Sequence, residues 1–548
     1  MHDDCTIAGR RRDGASEIHR RSALSGVGPI LTRIASGSGT ESADTSGITM
    51  RAIDYQSMTD TFVIVGGDAA GMAAASKARR EDPDLEIVVF EKGEWVSYGA
   101  CGLPYYVKGE IQSLESLVSV TPEEFREERD IDLRTGHEVV EIDPDARTVT
   151  AEGDGGEVVQ PYDHLLLATG AEAVAPPIDG TELEGVYTLG SMSDGKELRE
   201  YVARARDGES FQQADRGPAC RYLEDCSGPV GVVGGGYIGL EMAEALAANG
   251  FEVHLFQRSD RVLTGFSEAT SEAVADHLRE RDVALSLGSE VLELAGSEAS
   301  EASDGASSDR TQSDDAAEVE AVVTADDRVP VEMVLLGTGV RPRTGLAEDA
   351  GIELGPTGAI ATDAYRETNR PDVYAAGDCA EATHVVTGEP THVPLALTAN
   401  RHGRAVGQTV TGTPVEGGGV AGTAAVKVFD VEAARTGILD HDEARAAGFE
   451  PVSETITAKS RAGYYPEGGE VTITLTADRD SGRVLGASLV SEYGEGAVHR
   501  SHAIVAALTE GTTVSELENY DLAYAPPFNT TWDPVLVAAK VLGGDLRE

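Results

Sequence analysis

Early in the chain, apolar positions form short uninterrupted runs that are separated by glycines and by a helix-forming stretch. Phe62–Val65 is one such run, and residues 66–71 read Gly-Gly-Asp-Ala-Ala-Gly. Residues 72–80 favour a helix, and a second run, Glu86–Phe90, ends at the acidic Glu91. Short apolar runs bounded by glycine are typical of buried parallel strands. The pattern therefore predicts strand, turn, helix and strand, in that order.

The same pattern returns later in the chain. The apolar run Pro229–Val233 is followed by Gly-Gly-Gly-Tyr-Ile-Gly at residues 234–239, a helix-forming stretch at 240–246, and the strand-like Glu252–Phe256. Two such units predict an α/β chain that contains two Rossmann-like folds, and each fold predicts a bound dinucleotide.

In the first unit the glycines would let the backbone approach a pyrophosphate at the start of the helix. Glu91 lies 91 − 71 = 20 residues beyond Gly71, the spacing at which an acid binds the ribose hydroxyls. Asp68 departs from the motif, because it stands where the middle glycine is expected.

The second unit has Gln257 where the acid is expected, with Arg258 and Arg261 close behind. A neutral residue beside arginines can accept the 2′-phosphate of NADPH, whereas a carboxylate would favour NADH. We therefore expect NADPH. The alternative is that both arginines lie on a solvated helix start. One dinucleotide passing a hydride to the other is the simplest use of two such folds.

Three further segments extend the first fold. Tyr162–Gly170 is an apolar strand that ends in Ala-Thr-Gly, and Asp372–Asp378 predicts a buried strand that places Asp378 beside the ribityl or pyrophosphate part of a flavin. Val393–Asn400 predicts the start of a helix whose N-terminus could face the flavin ring and support negative charge on its reduced form.

Beyond residue 421 the pattern changes to alternating strands, at Ala424–Phe429 and Val471–Leu475, followed by a helix at His499–Leu508. This predicts a separate α+β domain. The predicted domains are a disordered extension or over-long gene start at 1–57, with Met58 a plausible beginning; a discontinuous FAD-binding domain at 58–180 and 343–420; an NAD(P)-binding domain at 181–342; and a dimerisation domain at 421–548. Polar insertions are predicted at 208–228 and about 297–316.

Composition limits the partners of the protein. The 548 residues include 95 acidic and 44 basic ones, a formal net charge of −51. Such a surface repels nucleic acid and anionic lipid, and its even spread suggests a salt-loving host. No apolar stretch approaches the ~20 residues of a membrane span. We therefore expect a soluble, cytoplasmic protein.

The chain has five cysteines, none with the paired spacing of a metal site, so no metal is predicted. Cys101 begins a Cys-Gly-Leu-Pro segment shortly after Glu91, and the positions where a redox partner would stand hold Tyr105 and Tyr106. Cys101 would therefore act as a single thiol, through a mixed disulfide or a sulfenic acid. The helix after it, together with charge transfer to an oxidised flavin, should lower its pKa. The alternative is a buried structural cysteine. The other cysteines are Cys5, Cys220, Cys226 and Cys379.

Over residues 61–542 these features together resemble the pyridine nucleotide-disulfide oxidoreductases. Within that family they resemble the single-cysteine branch, which contains coenzyme A disulfide reductase, NADH oxidase, NADH peroxidase and the coenzyme A-dependent persulfide reductases. The segments Ser97–Tyr106 and Ala523–Phe528 look most like coenzyme A disulfide reductase. Ala100 departs from it, since those enzymes can carry Asn before the cysteine.

The resemblance implies FAD, NADPH or NADH, and a homodimer in which the last domain of one subunit completes the active site of the other. Cys101 would be the redox thiol, and Tyr465 and Tyr524 of the partner chain would flank the substrate sulfur. Without the resemblance, tyrosines beside prolines are more simply interpreted as loop anchors. The residues predicted to contact the cofactors are Gly66, Gly67, Ala70, Gly71, Glu91, Lys92, Ala168, Thr169, Gly170, Gly234, Gly236, Gly239, Gln257, Arg258, Gly339, Gly377, Asp378, Leu395 and Ala396.

Coenzyme A would contact Ser97 and the cations Lys77, Arg79 and Arg80, which could equally be a solvated helix end. The expected activity is reduction of coenzyme A disulfide, or a related disulfide or persulfide, through a Cys101 mixed disulfide. Two alternatives are an NADH oxidase or peroxidase that uses a Cys101 sulfenic acid, and a flavoprotein whose redox state controls partner binding.

Overall fold

The structure is a computed structural model that describes residues 60–207, 228–297 and 317–547. Several sequence features lie outside these residues, namely the extension 1–57, nearly all of the two predicted insertions, Cys5, Cys220 and Cys226.

Helices and strands follow one another closely along the chain. Residues 60–207 form β1 (Thr61–Val65), α1 (Ala69–Glu81), β2 (Glu86–Glu91), α2 (Leu103–Lys108), α3 (Pro122–Glu127), β3 (Asp132–Thr135), β4 (His137–Asp143), β5 (Thr148–Gly153), β6 (Gly156–Pro161), β7 (His164–Leu167), β8 (Ala171–Ala173), β9 (Val186–Tyr187) and α4 (Met192–Asp207). Residues 228–350 form β10 (Pro229–Val233), α5 (Tyr237–Ala248), β11 (Glu252–Gln257), α6 (Glu268–Glu280), β12 (Ala284–Leu287), β13 (Val291–Gly296), β14 (Val319–Thr324), β15 (Arg328–Pro330), β16 (Met333–Leu336), β17 (Val340–Pro342) and α7 (Gly345–Asp349). Residues 351–547 form β18 (Val373–Ala375), β19 (Ala382–Thr383), β20 (Pro390–Thr391), α8 (Ala396–Thr409), β21 (Ala424–Val428), β22 (Val431–Gly437), α9 (His441–Ala446), β23 (Pro451–Lys459), β24 (Glu470–Asp478), β25 (Val484–Glu492), α10 (Ala497–Glu510), α11 (Val514–Leu517) and α12 (Pro534–Asp545).

The first sheet is parallel, with strand order β18-β7-β1-β2-β3. Its central strand β1 is buried at Phe62–Val65, which is why the sequence there is uninterrupted and apolar. β18 pairs with β7 although the whole second fold lies between them in the sequence. The first sheet is therefore completed by a strand from the later part of the chain.

The second sheet repeats this arrangement. Its order is β12-β11-β10-β16-β9, again parallel, and every residue of β10 is buried. In each fold a small three-stranded antiparallel sheet follows an edge strand of the parallel sheet: β4-β5-β6 follows β3 in the first fold, and β13-β14-β15 follows β12 in the second. The predicted pair of Rossmann-like folds is confirmed.

The third sheet is antiparallel, with order β21-β22-β25-β24-β23. Ile473 and Leu489 on this sheet belong to the same buried cluster as Ile504 and Leu508 on α10. This is the α+β arrangement that the alternating strands predict.

Helix α2 lies where the second fold and the third sheet meet. Its Leu103 and Val107 share one buried cluster with Leu240 of α5 and Val426 of β21. The turn just before α2 carries Cys101, so both later parts of the chain help to position that residue. Among the described residues, no helix has the length and hydropathy needed to cross a membrane.

Candidate functional site

The loop after β1 contacts the end of β7 with no room for a side chain. At Gly66 φ is +111°, and a Cβ there would lie 2.2 Å from the carbonyl oxygen of Ala168. A Cβ on Gly71, in the first turn of α1, would lie 1.9 Å from the carbonyl oxygen of Gly66. Only glycine fits these positions. No side chain caps the start of α1, so its first N–H groups are available to an anion.

Glu91 holds this loop. Its Oε2 accepts a hydrogen bond from Gly67 N at 2.8 Å, and its Oε1 accepts one from Gly93 N at 2.7 Å. The acid therefore lies beside the loop, and its ribose contact stays a prediction. Lys92, another predicted cofactor contact, lies with its Nζ 3.7 Å from a carboxylate oxygen of Glu138.

The loop after β10 is built in the same way. Gly234 has φ +110°, and a Cβ there would lie 2.3 Å from the carbonyl oxygen of Gly337. A Cβ on Gly239 would lie 1.9 Å from the carbonyl oxygen of Gly234. Gln257 replaces the acid, and its Oε1 accepts a hydrogen bond from Gly235 N at 3.0 Å. Glutamine therefore keeps the loop-holding contact that Glu91 makes in the first fold, without its charge.

Open space lies around this second loop. A Cβ on Gly236, the residue before α5, or on Gly339 would meet nothing within 4 Å. Arg258 follows Gln257 and is exposed. Arg261 is half-buried, and its Nη2 donates a hydrogen bond to the Thr264 carbonyl oxygen at 3.3 Å.

The residues after β7 tie the first fold to the chain that returns from the second. Ala168 N donates to the Val65 carbonyl oxygen at 2.8 Å. Thr169 Oγ1 donates to the Arg343 carbonyl oxygen at 2.7 Å, and Arg343 N donates to the Gly170 carbonyl oxygen at 3.0 Å.

Asp378 follows β18 at the same edge of the first sheet. Gly377 before it has φ +85°, and His392 Nε2 donates to the Asp378 carbonyl oxygen at 2.8 Å. Burial raises the pKa of the Asp378 carboxyl group, and His392 partly opposes this. The apolar stretch predicted to open a helix does so at Ala396, after Leu395, and no side chain caps that start.

The segment that carries Cys101 is hydrogen-bonded to the first glycine loop. Ser97 N donates to the Gly67 carbonyl oxygen at 3.0 Å, and Tyr98 N donates to Asp68 Oδ1 at 3.1 Å. Ser97 has φ +49°, a strained conformation for a residue other than glycine and one that is common at functional sites. Cys101 follows in the turn before α2 and is exposed. The thiol is therefore held close to the loop and reachable from outside.

No second sulfur stands in the positions five residues further on. The Tyr105 hydroxyl donates to Glu241 Oε1 on α5 at 3.1 Å, and the Tyr106 carbonyl oxygen accepts from Arg199 at 2.6 Å. Cys101 and Cys379 are both free in the part of the chain that the structure describes. Cys379 is buried and its Sγ donates to a backbone carbonyl oxygen, so Cys101 is the exposed thiol of the two.

The surroundings of Cys101 change one prediction. The helix after it was expected to lower the pKa of the thiol. Instead, burial on its inner side raises the pKa, and the carboxylates of Glu241 and Asp378 raise it further. Burial also raises the pKa of Glu241 to about 7. The prediction was wrong for the helix, because burial and, after it, the nearby acids outweigh a short helix; the effect expected from the oxidised flavin stays a prediction.

Two tyrosine hydroxyl groups meet in the third domain. The hydroxyl oxygens of Tyr464 and Tyr524 lie 3.2 Å apart, and both rings are exposed. Their hydrogen bond lowers the pKa of Tyr524 and raises that of Tyr464. The sequence predicted that Tyr465 and Tyr524 flank the substrate sulfur, and that role stays a prediction. Within one subunit, the hydroxyl group that meets Tyr524 belongs to Tyr464, the neighbour of Tyr465. The Tyr-Tyr-Pro doublet could not distinguish the two.

Comparison with known proteins agrees with this geometry. Residues 60–403 match the pyridine nucleotide-disulphide oxidoreductase family, and residues 423–534 match the dimerisation domain of that family. The chain belongs to this family. It is 36% identical to an NAD(P)H coenzyme A polysulfide/persulfide reductase of Pyrococcus horikoshii, over 89% of this chain and 99% of that one.

Two solved structures are also similar. An NAD-dependent persulfide reductase from A. fulgidus is 34% identical with a TM-score of 0.78, covering 88% of this chain and 83% of that one. An engineered water-forming NADPH oxidase, derived from a Lactobacillus brevis NADH oxidase, is 25% identical with a TM-score of 0.77, covering 89% of this chain and 99% of that one.

As a member of the family, the protein is an FAD-dependent oxidoreductase that uses NAD(P)H. Its own residues fit these cofactors. Both glycine loops form cradles that a single Cβ would fill, and the helices that begin there, α1 and α5, have no side-chain cap to compete with a phosphate. The first loop and Asp378 would hold FAD, and the second loop would hold the nicotinamide dinucleotide.

The cations predicted for coenzyme A are largely engaged within α1 and its surroundings. Lys77 pairs with Glu81. The Arg79 guanidinium donates to the carbonyl oxygens of Pro83 and Asp130, each at 2.6 Å. Arg80 is exposed at the end of the helix. Lys77 and Arg79 therefore have partners within the chain, whereas Arg80 is exposed; the contact of these cations with coenzyme A stays a prediction.

Proposed function

We propose that the protein uses NADPH to reduce a sulfur–sulfur bond attached to coenzyme A, in coenzyme A disulfide or a coenzyme A persulfide, through Cys101. The observation that carries the proposal is the exposed, unpartnered Cys101 thiol, hydrogen-bonded through its segment to the FAD-binding loop. The names of the P. horikoshii and A. fulgidus relatives, both persulfide reductases, support the substrate class.

The chemistry assigned to the chain begins with attack of the Cys101 thiolate on the substrate sulfur. A mixed disulfide with coenzyme A forms, and the other sulfur leaves as a thiolate or hydrosulfide. When bound, FAD would supply the two electrons, received from the nicotinamide, that are needed to cleave this disulfide into the cysteine thiolate and free coenzyme A. The net reaction consumes NADPH, one proton and one disulfide and produces NADP⁺ and two thiols.

The leaving sulfur needs a proton, and the tyrosine pair is suited to supply it. Tyr524 and Tyr464 are exposed, hydrogen-bonded to each other, and positioned on the domain that matches the family's dimerisation domain. Exposed aromatic residues nearby, with Phe528 exposed by 79%, are typical of a surface that a second copy covers. We therefore place the pair of one subunit against Cys101 of the other in a homodimer.

The alternative with support is oxygen reduction, because the L. brevis-derived relative is a water-forming oxidase. The two activities are separated by NADPH consumption with coenzyme A disulfide, with coenzyme A plus polysulfide, and with oxygen alone, under anaerobic and aerobic conditions. The proposal requires rapid anaerobic turnover with a sulfur substrate. Turnover with oxygen only would overturn it. Mass spectrometry of the unreduced protein would identify an adduct on Cys101 directly.

Gln257 and Arg258 support NADPH as the donor. The engineered oxidase, whose structure contains NADPH, has three consecutive substitutions: aspartate to alanine, alanine to arginine and methionine to serine. Gln257-Arg258-Ser259 has the same arginine and serine after a residue without charge.

We predict that Arg258→Ala lowers kcat/KM for NADPH by about ten- to a hundredfold, the loss expected from one charge-assisted hydrogen bond, and leaves the value for NADH nearly unchanged. Steady-state kinetics with both coenzymes checks this. The exposed Arg279→Ala, on α6, is the control and should change neither value. Equal losses with both coenzymes would contradict the assignment.

We also predict that Tyr524→Phe and Tyr464→Phe each lower kcat for disulfide reduction by about a hundredfold or more, because the leaving sulfur loses its proton donor. Tyr465→Phe is the matched control and should stay within a few-fold of the wild type. Rates are measured with saturating NADPH. A loss in Tyr465→Phe without one in Tyr464→Phe would contradict this assignment and favour the place beside the substrate sulfur that the sequence predicted for Tyr465.

A further inference from the structure

Asp68 occupies an unusual place in the FAD loop. It precedes α1 directly, at the position where the glycine motif has its middle glycine, yet its carboxylate does not cap the helix. Oδ1 accepts from Tyr98 N at 3.1 Å instead. A carboxyl group thus stands beside the N–H groups that would hold the pyrophosphate, and one of its oxygens is committed as an acceptor.

The groups that face Asp68 make this position strongly acidic. Glu91 reaches it from the end of β2, and Asp378 from the loop after β18, with His392 beside Asp378. Tyr98 and Cys101, on the segment packed over the loop, are themselves affected by the charge of Asp68. Burial and the two carboxylates raise the pKa of Asp68 to about 7, although the backbone N–H groups of Tyr98 and Ala69 oppose this.

A charged Asp68 would make a third carboxylate around a doubly negative pyrophosphate. A neutral carboxyl group changes the contact, because Oδ1 can still accept from Tyr98 while the protonated Oδ2 donates. We propose that Asp68 binds the FAD pyrophosphate as a neutral carboxyl group that donates a hydrogen bond to a phosphate oxygen. The proton comes from solvent and returns there when FAD leaves. This inference is independent of the sulfur substrate.

The pH dependence follows by linkage. Binding of an anion raises the pKa of Asp68 above its value of about 7 in the chain without FAD. Below that value Asp68 is already protonated, so FAD affinity is highest there. Above it, binding must take up a proton, and the FAD dissociation constant rises by up to about tenfold per pH unit until the pKa of the complex is reached.

The test measures FAD release from the FAD-loaded full chain. Flavin fluorescence after dilution gives the dissociation constant between pH 7 and 9 at constant ionic strength. The wild type should lose affinity as the pH rises. In Asp68→Asn the side-chain amide can donate a hydrogen bond but does not titrate, so the affinity for FAD should depend little on pH. The same is expected of Asp68→Gly, which has the residue usual in the motif. Asp84→Asn, at an exposed position, is the control, and its FAD dissociation constant should depend on pH as in the wild type.

Proton uptake provides a second readout. Mixing FAD with the FAD-free protein near pH 8 in weak buffer should remove about one proton from solution for the wild type and none for Asp68→Asn. The inference would be overturned if the FAD dissociation constant of either Asp68 variant depended on pH as it does in the wild type. It would also be overturned if the wild type showed neither this pH dependence nor proton uptake. Neither result depends on disulfide reduction, so the proposed function is tested separately.

Discussion

Cys101→Ser will lower the reduction of coenzyme A disulfide by about a thousandfold or more, while FAD stays bound and is still reduced by NADPH. A serine hydroxyl cannot form the mixed disulfide, so the step proposed for Cys101 would have no substitute. Hydride transfer from a nicotinamide held at the second glycine loop would not need the thiol. Anaerobic stopped-flow absorbance of the flavin measures the first half-reaction, and NADPH consumption with the disulfide measures the whole cycle.

Cys379→Ala is the matched control for this experiment. Cys379 is fully buried and bonded to backbone carbonyl oxygens, so its loss should leave disulfide reduction close to the wild-type rate. If Cys101→Ser reduced the disulfide as fast as the wild type, the proposed thiol chemistry would have to be abandoned. A variant that lost FAD as well would place the role of Cys101 in cofactor binding instead.

The sequence was informative where local pattern determines structure. The strand predicted at Pro229–Val233 has the bounds of β10, because full burial requires an uninterrupted apolar run. The glycine loops were equally predictable, since a Cβ at Gly66 or Gly234 would collide with a backbone carbonyl oxygen. Cys101 was predicted to be a single thiol from its neighbours and from the absence of a second sulfur five residues on; the structure shows it free and exposed, and its redox role stays a prediction.

The sequence was uninformative where residues far apart in the chain meet. Tyr464 and Tyr524 are 60 positions apart, and nothing in the doublet shows which of its rings turns toward Tyr524. The pKa of Cys101 depends on Glu241 and Asp378, whose approach to the thiol arises only from the packing of the two Rossmann-like folds. The direction of that shift could not be obtained from the short helix beside the cysteine.

Glu244 is another residue that sequence reasoning missed, and it joins three parts of the protein. It lies on α5, is exposed by only 3%, and its Oε1 accepts from Lys108 Nζ at 2.6 Å and from Lys427 Nζ at 2.9 Å. Its Oε2 accepts from Phe429 N at 2.7 Å. Lys108 ends α2, the helix after Cys101, and Lys427 lies on β21 of the third sheet.

Glu244→Ala should lower the free energy of unfolding by about 3–5 kcal/mol, because it leaves two lysine ammonium groups without their shared buried carboxylate. Although burial opposes ionisation, the contacts to both lysines and to Phe429 N lower the pKa of Glu244 below the ordinary 4.5. Its contribution is therefore present above that value and is lost as the pH falls below it. Urea denaturation followed by circular dichroism at pH 7 measures the loss.

Glu110→Ala is the matched control, since Glu110 pairs with the same Lys108 but its side chain is 52% exposed. An exposed pair contributes about 0–1 kcal/mol, so this variant should unfold nearly as the wild type does. Replacing Lys108 and Lys427 by methionine in the Glu244→Ala background should recover much of the loss, because no unpaired charge then stays buried. If Glu110→Ala were as unstable as Glu244→Ala, the exposed pair of Lys108 with Glu110 would matter as much as the buried contacts of Glu244. In that case the position of α2, and of Cys101 before it, would not depend on the buried carboxylate.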